Sequence, residues 1–412
     1  MTDAEPVTAA DLELMQDLAQ RVTATRPDLV NSDASYGELA WNWGRGHACD
    51  GASWRRRMWF SGGELVAWGW VFLPRRVRRS DGSVKEITAA YLAYQVHPGH
   101  AGLVDEVIDW YDGTAAGFER TVLPNATDEF ALRRWAAHGY RTDPASLGDT
   151  GSWTQLNERD LTDLETPVLP DGFRFRTADE AGPKAAVQAH LDAWGPSTYT
   201  AEGYQGVRRT AAYRGDLHIL VEAPDGTMAA STIMWLDEAN RTAEFEPVGT
   251  HRDYRRRGLA RAMLLHGMHR ARAAGATHMT VACLGAPGHP QARGLYYGVG
   301  FRQFTRDVPL IRAAAQAGGA IGVVRDEAAQ RGEPAPDAVR PEGNMTQGVG
   351  FRVEHGLTGL ASTVNAGRIP TDGQGSPCAK HRRSSRSSRP SSTPRSPAPP
   401  PTSARSSAPS GR

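Results

Sequence analysis

Residues 245–260 read Phe-Glu-Pro-Val-Gly-Thr-His-Arg-Asp-Tyr-Arg-Arg-Arg-Gly-Leu-Ala, a strand-like segment entering an arginine-glycine loop that opens a helix. The first turn of a helix has unpaired backbone N–H groups and the positive end of the helix dipole, so a glycine loop placed there cradles an anion. Gly258 lets the backbone approach a ligand with no Cβ in the way, Ala260 keeps the first turn open, and Arg255, Arg256 and Arg257 add positive charge. These residues suit phosphate or pyrophosphate binding. A Walker loop needs Lys-Ser or Lys-Thr after its last glycine and a dinucleotide fingerprint needs three glycines, and neither pattern is present.

The loop matches (Gln/Arg)-x-x-Gly-x-(Gly/Ala) through Arg255, Gly258 and Ala260. One helix and one strand later comes Ala292-Arg-Gly-Leu295-Tyr296-Tyr-Gly-Val-Gly300-Phe301, of the form Ala-x-x-Leu-Tyr-x-x-x-Gly-Phe. In both motifs and their order this part of the chain resembles the GNAT acetyltransferases. That resemblance implies transfer of an acetyl group from acetyl-CoA to an amine by direct attack on the thioester, with no metal.

Three tasks follow from the resemblance. The loop from Arg255 through Leu259 and Ala260 to Arg261 is expected to hold the pyrophosphate. Proline inside a strand belongs at an edge or a bulge, and the family's strand bulges and splays at this point. The amide of Val248 is therefore the candidate donor to the thioester carbonyl, with Gly249 and Thr250 continuing the cofactor contacts. Tyr296 matches the family's proton donor to the departing thiolate; a phenol with pKa near 10 suits that role. Glu244 and Glu246 alternate onto one face of the strand, and either is a candidate base, acting directly or through water. The family usually has Asn three residues before the Ala of the second motif, where this chain has His289, also assigned to the cofactor site. His266 and His269 lie three apart on the loop's helix without an evident third ligand, and read as surface histidines.

These groups need a scaffold. The pattern predicts a strand at 173–176, helices near 181–194 and 201–212, and a hairpin of 217–223 and 227–236 around Pro224-Asp225-Gly226. It then predicts a strand at 242–250, a helix at 259–274, a strand at 278–284, a helix at 290–299 and a last strand at 301–311.

The first half repeats this order in faded form: a helix at 8–25, a hairpin at 58–73, a strand at 87–96, then His97-Pro-Gly-His-Ala-Gly102 before another helix. Residues 131–141 line up with 292–302, with Trp135 where Tyr296 stands. The first loop is shorter and has no arginine, and an indole cannot donate an acidic proton. The expected organisation is a degenerate GNAT-like domain at 8–155, a linker at 156–171 with Pro167 and Pro170, a catalytic domain at 172–315, and a disordered low-complexity tail at 316–412. The expected fold class is α/β (α+β), each domain a mixed, mostly antiparallel twisted sheet flanked by helices.

Over 412 residues, 47 Lys and Arg face 46 Asp and Glu, but eight of the basic residues lie between Lys380 and Arg412 with no acid among them. The rest of the chain is thus acidic, and a global basic surface for nucleic acid is not expected. Cys49, Cys283 and Cys378 are too few and too scattered for a disulfide framework or a zinc site. No run reaches the roughly 18 apolar residues of a membrane span, and Met1 to Pro6 lacks the layout of a secretory signal. A cytoplasmic protein acting on acetyl-CoA and a small amine is expected, with an alternative as a non-catalytic acyl-CoA-binding or regulatory module. Retention of Tyr296 beside a complete loop argues against that alternative.

Overall fold

The computed structural model describes residues 6–314. The expected tail at 316–412 lies outside the described residues.

The first half contains α1 (Ala9–Thr25), α2 (Tyr36–Asp50), β1 (Trp54–Ser61), β2 (Glu64–Phe72), β3 (Arg75–Arg78), β4 (Val84–Ile87), β5 (Ala90–Val96), α3 (Val104–Thr114), β6 (Arg120–Val122), α4 (Glu129–Ala137) and β7 (Arg141–Thr142). There follow β8 (Thr154–Asp160), β9 (Arg174–Thr177), α5 (Ala178–Ala181), α6 (Pro183–Trp194), α7 (Ala201–Arg208), β10 (His218–Glu222), β11 (Met228–Asp237) and β12 (Thr242–Thr250). The last elements are α8 (Leu259–Ala273), β13 (His278–Leu284), α9 (Pro290–Gly298), β14 (Arg302–Arg306) and β15 (Leu310–Arg312).

Local chemistry explains the boundaries. Thr8 and Asp11 form a reciprocal capping box at the start of α1. Ser35 caps α2 by accepting from the N–H of Glu38 at 3.1 Å. Gly62 and Gly63, both with positive φ, turn β1 into β2.

Two large mixed sheets result, one ordered β1-β2-β5-β6-β15-β7 and the other β14-β8-β13-β12-β11-β10-β9. Each draws an interior strand from the other half of the chain. β8 leaves the first half and runs antiparallel to both β13 and β14, whereas β15 crosses back to lie between β6 and β7. This corrects the expected division at 155 and 172. Leu156–Asp160, read as the start of a linker, is an interior strand of the second sheet, and the single strand expected over 301–311 is two strands serving different sheets.

The misreading has a physical cause, because β8 buries polar side chains. Gln155 and Asn157 are almost fully buried, and their amides are satisfied internally: Gln155 Nε2 donates to Asn157 Oδ1 (2.6 Å) and Tyr297 Oη (2.8 Å), and Asn157 Nδ2 to the Val281 carbonyl (3.1 Å). Such a strand is stable in the interior only because every amide has a partner.

The halves also share a core. Trp41 of α2 packs with Tyr204 and Val207 of α7, and with Leu220, Ile233 and Trp235 of the second sheet. α2 and α7 meet backbone to backbone: a Cβ on Gly44 would overlap the main chain of Val207, one on Gly206 the carbonyl of Gly44, and one on Gly203 the main chain of Arg45. The second domain's larger core lies on the other face of its sheet, where Leu259, Met263, Leu264 and Met268 of α8 cover Phe245, Met279 and Val281. Among the described residues no helix is long and apolar enough to cross a membrane.

Candidate active site

β12 and β13 run parallel and paired from Thr242↔His278 to Phe245↔Val281, and there the pairing stops. Beyond that point β12 continues along β11 and β13 along β8, so the two strands part. On the other edge Phe245 opposes Met234 and Val248 opposes Thr232, leaving Glu246 and Pro247 across from Ile233 alone. That is a bulge at the proline, as expected. Glu244 and Glu246 alternate with Phe245, which enters the α8-side core, and both carboxyls bear on Glu38 of α2 ahead of the extra residue.

On the face away from α8, α6 of the second domain packs on β12 at Gly249 and leaves the paired end of β12 and β13 to the first domain. The first domain covers it with the end of α1 and the start of α2, enclosing a cavity of about 440 Å³. Glu158, Asp237 and Glu244 line the cavity, together with His278, Tyr36, Trp235 and Phe304, but no Lys or Arg does. Ser35 donates its hydroxyl to Glu244 Oε2 at 2.6 Å, and the main-chain N–H groups of Gly37 and Glu38 face the same carboxylate. The positive end of α2 therefore points at Glu244. Burial outweighs these donors and pushes the carboxyl up to about 7.

Glu246 is 8% exposed and its Oε1 is buried with no hydrogen-bond partner. Burial first, and then the charge of Glu244, raise its proton affinity, while Arg45 opposes them. The indole N–H of Trp235 donates to the main-chain oxygen of Glu246 at 2.7 Å and fixes the bulge. Glu38 of α2, 3% exposed, is raised well above the usual carboxylate range by burial and by Glu246 and Glu244.

Tyr296 is buried on α9 against Phe301. Its phenol is pushed well above the ordinary tyrosine range by burial, and then by Cys283 of β13 and Glu246 of β12. The charge of Glu246, on β12 just past the end of the pairing, thus bears on the Tyr296 phenol. His289 is exposed at the start of α9, with Nε2 3.3 Å from the Thr150 carbonyl.

The loop after β12 enters α8 through Arg256 (φ +62°) and Gly258 (φ +79°). Gly258 is the N-cap and offers no side chain to the first-turn amides, and a Cβ there would stand in open space. An anion can therefore approach Leu259, Ala260 and Arg261 along the backbone, and the site fits a pyrophosphate. The arginines are not equivalent. Arg255 folds inward, donating to the carbonyls of Ala193 (2.9 Å) and Thr250 (3.3 Å). Arg261 forms a two-atom ion pair with Glu165, and Arg257 lies over Tyr254. Arg256 is exposed and free for a ligand. Gly249 has another requirement, because a Cβ there would overlap the Trp194 ring. Val248 and Thr250 are half-buried beside it.

The first half carries the same frame without the loop. β5 and β6 pair from Ala90↔Arg120 only to Leu92↔Val122. A short 3-10 helix, Pro98–Leu103, replaces the arginine loop, and the nearby cavity of about 290 Å³ is lined by Arg26, Asp128 and Glu129. Trp135 is fully buried, its indole N–H donating to Tyr94 Oη at 3.0 Å. Neither expected surface histidine behaves alike: His266 is half-buried, stacked on Phe175 with ring centroids 4.0 Å apart, whereas His269 is held by the Glu165 carbonyl. Among the described residues no group of three or more His, Cys, Asp or Glu is arranged to hold a metal ion.

Residues 185–301 match the model of the acetyltransferase (GNAT) family. Residues 185–301 are a GNAT domain. The family is one of acyltransferases, whose cosubstrate is generally an acyl-CoA. A tandem GNAT protein of the clavulanic acid biosynthesis pathway superposes with a TM-score of 0.52 at 16% identity, over 76% of this chain and 99% of that one. The likeness extends the GNAT fold to the first half. A GCN5-related N-acetyltransferase from Sphaerobacter thermophilus is 20% identical, covering 75% of this chain and 95% of its own, with a TM-score of 0.49. No curated protein sequence matches.

The sequence missed the contribution of α2 to the GNAT domain's site. A signal was available, since Ser35-Tyr-Gly-Glu38 has the S-x-x-E form that opens a helix.

Proposed function

We propose that this protein is an N-acetyltransferase whose GNAT domain moves an acetyl group from acetyl-CoA to the amine of a small molecule. The observation that carries the reading is the parting of β12 from β13 just before Glu246, whose charge bears on the Tyr296 phenol. Acetyl-CoA supplies a thioester, an acyl group already activated toward an amine.

The protein's residues take four parts. The uncapped amides of Leu259, Ala260 and Arg261, with Gly258 and Arg256, hold the pyrophosphate. Arg255 and Arg257 shape the loop, Arg255 by tying it to α6 and Thr250. Val248, at the bulge, presents its amide to the carbonyl oxygen. Glu246 takes a proton from the acceptor's ammonium, with Glu244 beside it, and a carboxyl raised toward neutrality is suited to that transfer near pH 7. Tyr296 returns a proton to the leaving sulfur. The acceptor enters through the 440 Å³ cavity, whose three carboxylates and lack of Lys or Arg favour a cationic amine. The first domain acts as the wall of that cavity.

The test is a panel of amines incubated with acetyl-CoA and the full chain, following release of free thiol. Thiol release that depends on both the amine and Tyr296 supports the reading. Failure to bind acetyl-CoA at all overturns it.

A further inference from the structure

α2 belongs to the first domain by sequence, yet it is fixed to the second. Besides the glycine contacts with α7, a Cβ on Gly37 would overlap the Trp235 side chain, so the first turn of α2 sits on the indole that holds the bulge. This docking places the Glu38 carboxyl beside Glu246 and Glu244. Asn42, one turn on, donates from Nδ2 to Glu38 Oε1 at 2.7 Å and accepts from Arg45 at 2.8 and 3.2 Å, so the acid and the cation share one amide.

The charge count of this cluster is unbalanced. Glu38 faces the carboxyls of Glu246, Glu244 and Asp33, with Arg45 as the cation. Glu246 is faced by Glu244 on its own strand, by Glu38 and Arg45 from α2, and by Tyr296 from α9, where Cys283 of β13 also bears on the phenol. Three buried carboxyls and the half-buried Glu244 around one guanidinium cannot all be ionised. Glu246 Oε1 has no partner to stabilise a charge. The cluster therefore retains protons at neutral pH.

We propose that Glu38, supplied by the first domain, is a positioning residue for the second domain's base: it forms one carboxyl cluster with Glu246 and Glu244 and sets the pH range in which Glu246 accepts the acceptor's proton. This rests on the acetyl-transfer reading above. When the amine N–H bond breaks and the Glu246 O–H bond forms, Glu246 becomes neutral, which removes one negative charge from the shared cluster. The first domain is then a working part of the acid–base site.

The experiment compares the full chain with Glu38→Gln and Glu38→Asp. The first readout is the pH dependence of kcat/KM for a responsive amine. The second, independent of turnover, is the carboxyl 13C titration of Glu246 in glutamate-labelled protein, assigned with Glu246→Gln. Removing one negative neighbour should move both the acid limb and the Glu246 titration down by at least about half a pH unit. Glu38→Asp should return them toward wild type, with KM for acetyl-CoA unchanged throughout. A folded Glu38→Gln protein in which Glu246 titrates as in wild type overturns the proposal. So does uniform loss of activity at every pH with no shift. If the wild type acetylates no amine, the functional reading fails, and the 13C titration still decides whether Glu38 governs Glu246.

Discussion

Ser35 of the first domain donates its hydroxyl to Glu244 of the second at 2.6 Å, and the same oxygen accepts the N–H of Glu38 at 3.1 Å. One side chain thus caps α2 and ties that helix to the strand carrying the proposed base. Ser35→Ala removes both interactions and leaves a buried carboxyl short of a donor. A lost cap costs about 0.5–2 kcal/mol and a buried group left unsatisfied about 1–3 kcal/mol. Denaturant unfolding should therefore show a loss of about 2–4 kcal/mol. A change within a few tenths of a kcal/mol would mean that the contact does not form in solution.

The buried acids also predict how stability varies with pH. Glu246 binds its proton more tightly folded than unfolded, so its contribution is fully present below the unfolded pKa, near 4.5, and is lost as pH rises through the higher folded value. Glu246→Gln removes a group that is costly to ionise in place. Its melting temperature relative to wild type should rise between pH 5 and pH 8.5, even as acetyl transfer falls. His190 and His218, pushed down to about 3 by burial, work in the opposite sense below about pH 6.5. The comparison is therefore between variant and wild type at each pH. A difference that does not change with pH would place Glu246 in a solvated site.

The contact between α2 and α7 offers a steric test. At Gly206 a Cβ would overlap the Gly44 carbonyl, whereas at Gly113, in α3, it would meet nothing. Both are helical glycines, so alanine favours the helix at either site by up to about 1 kcal/mol. Gly113→Ala should stabilise by about that amount, while Gly206→Ala adds an overpacking cost of about 1–3 kcal/mol and displaces α2. If the first domain completes the acceptor site, Gly206→Ala should also raise KM for the amine more than KM for acetyl-CoA. Equal unfolding curves for the two variants would contradict the close crossing.

Local order made the second half legible. The loop at 255–260 and the motif at 292–301 are short, contiguous and a fixed distance apart, and the elements between them follow from periodicity. The strand exchange was not legible. Nothing in Thr154–Asp160 or Leu310–Arg312 says which sheet each will join, because register is a relation between distant segments and not a property of either. The polar side chains of β8 look like a linker until their partners are known. Glu38 and Arg45 are invisible as site residues for the same reason: their neighbours on β12 lie some 200 positions along the chain. Arg255 and Arg261 show the converse, since spacing put them at the phosphate loop, but their side chains are engaged by Ala193 and Glu165.

The loop geometry separates two substitutions. Gly258 is left-handed and is the N-cap of α8, and a Cβ there would stand in open space. Gly258→Asp therefore adds backbone strain and a negative charge where the pyrophosphate is held. Arg256→Ala removes one exposed cation and leaves the α8 amides in place. Calorimetry with acetyl-CoA should show one site per chain, weakened at least about tenfold by Gly258→Asp and only slightly by Arg256→Ala. Two equivalent sites would show that the Pro98–Leu103 segment of the first half also binds.

Tyr296 and Trp135 occupy equivalent helices of the two halves, and the contrast between them tests the proton donor. Trp135 donates to Tyr94 and is surrounded by protein, so Trp135→Phe leaves a smaller ring and an unpaired hydroxyl. It should lower stability without altering kcat beyond the stability effect. Tyr296→Phe keeps the ring against Phe301 and removes only the hydroxyl, whose proton affinity Cys283 and Glu246 raise. A general acid contributes about 10²- to 10⁴-fold, so kcat should fall within that range at unchanged acetyl-CoA affinity. Burial keeps the Tyr296 phenol protonated across the neutral range, so its proton is in place when the thiolate leaves. The measurement requires a slow amine whose chemical step limits turnover, since fast product release would hide the loss. Wild-type kcat on such a substrate would make Tyr296 a packing residue and send the search for the proton donor to the solvent.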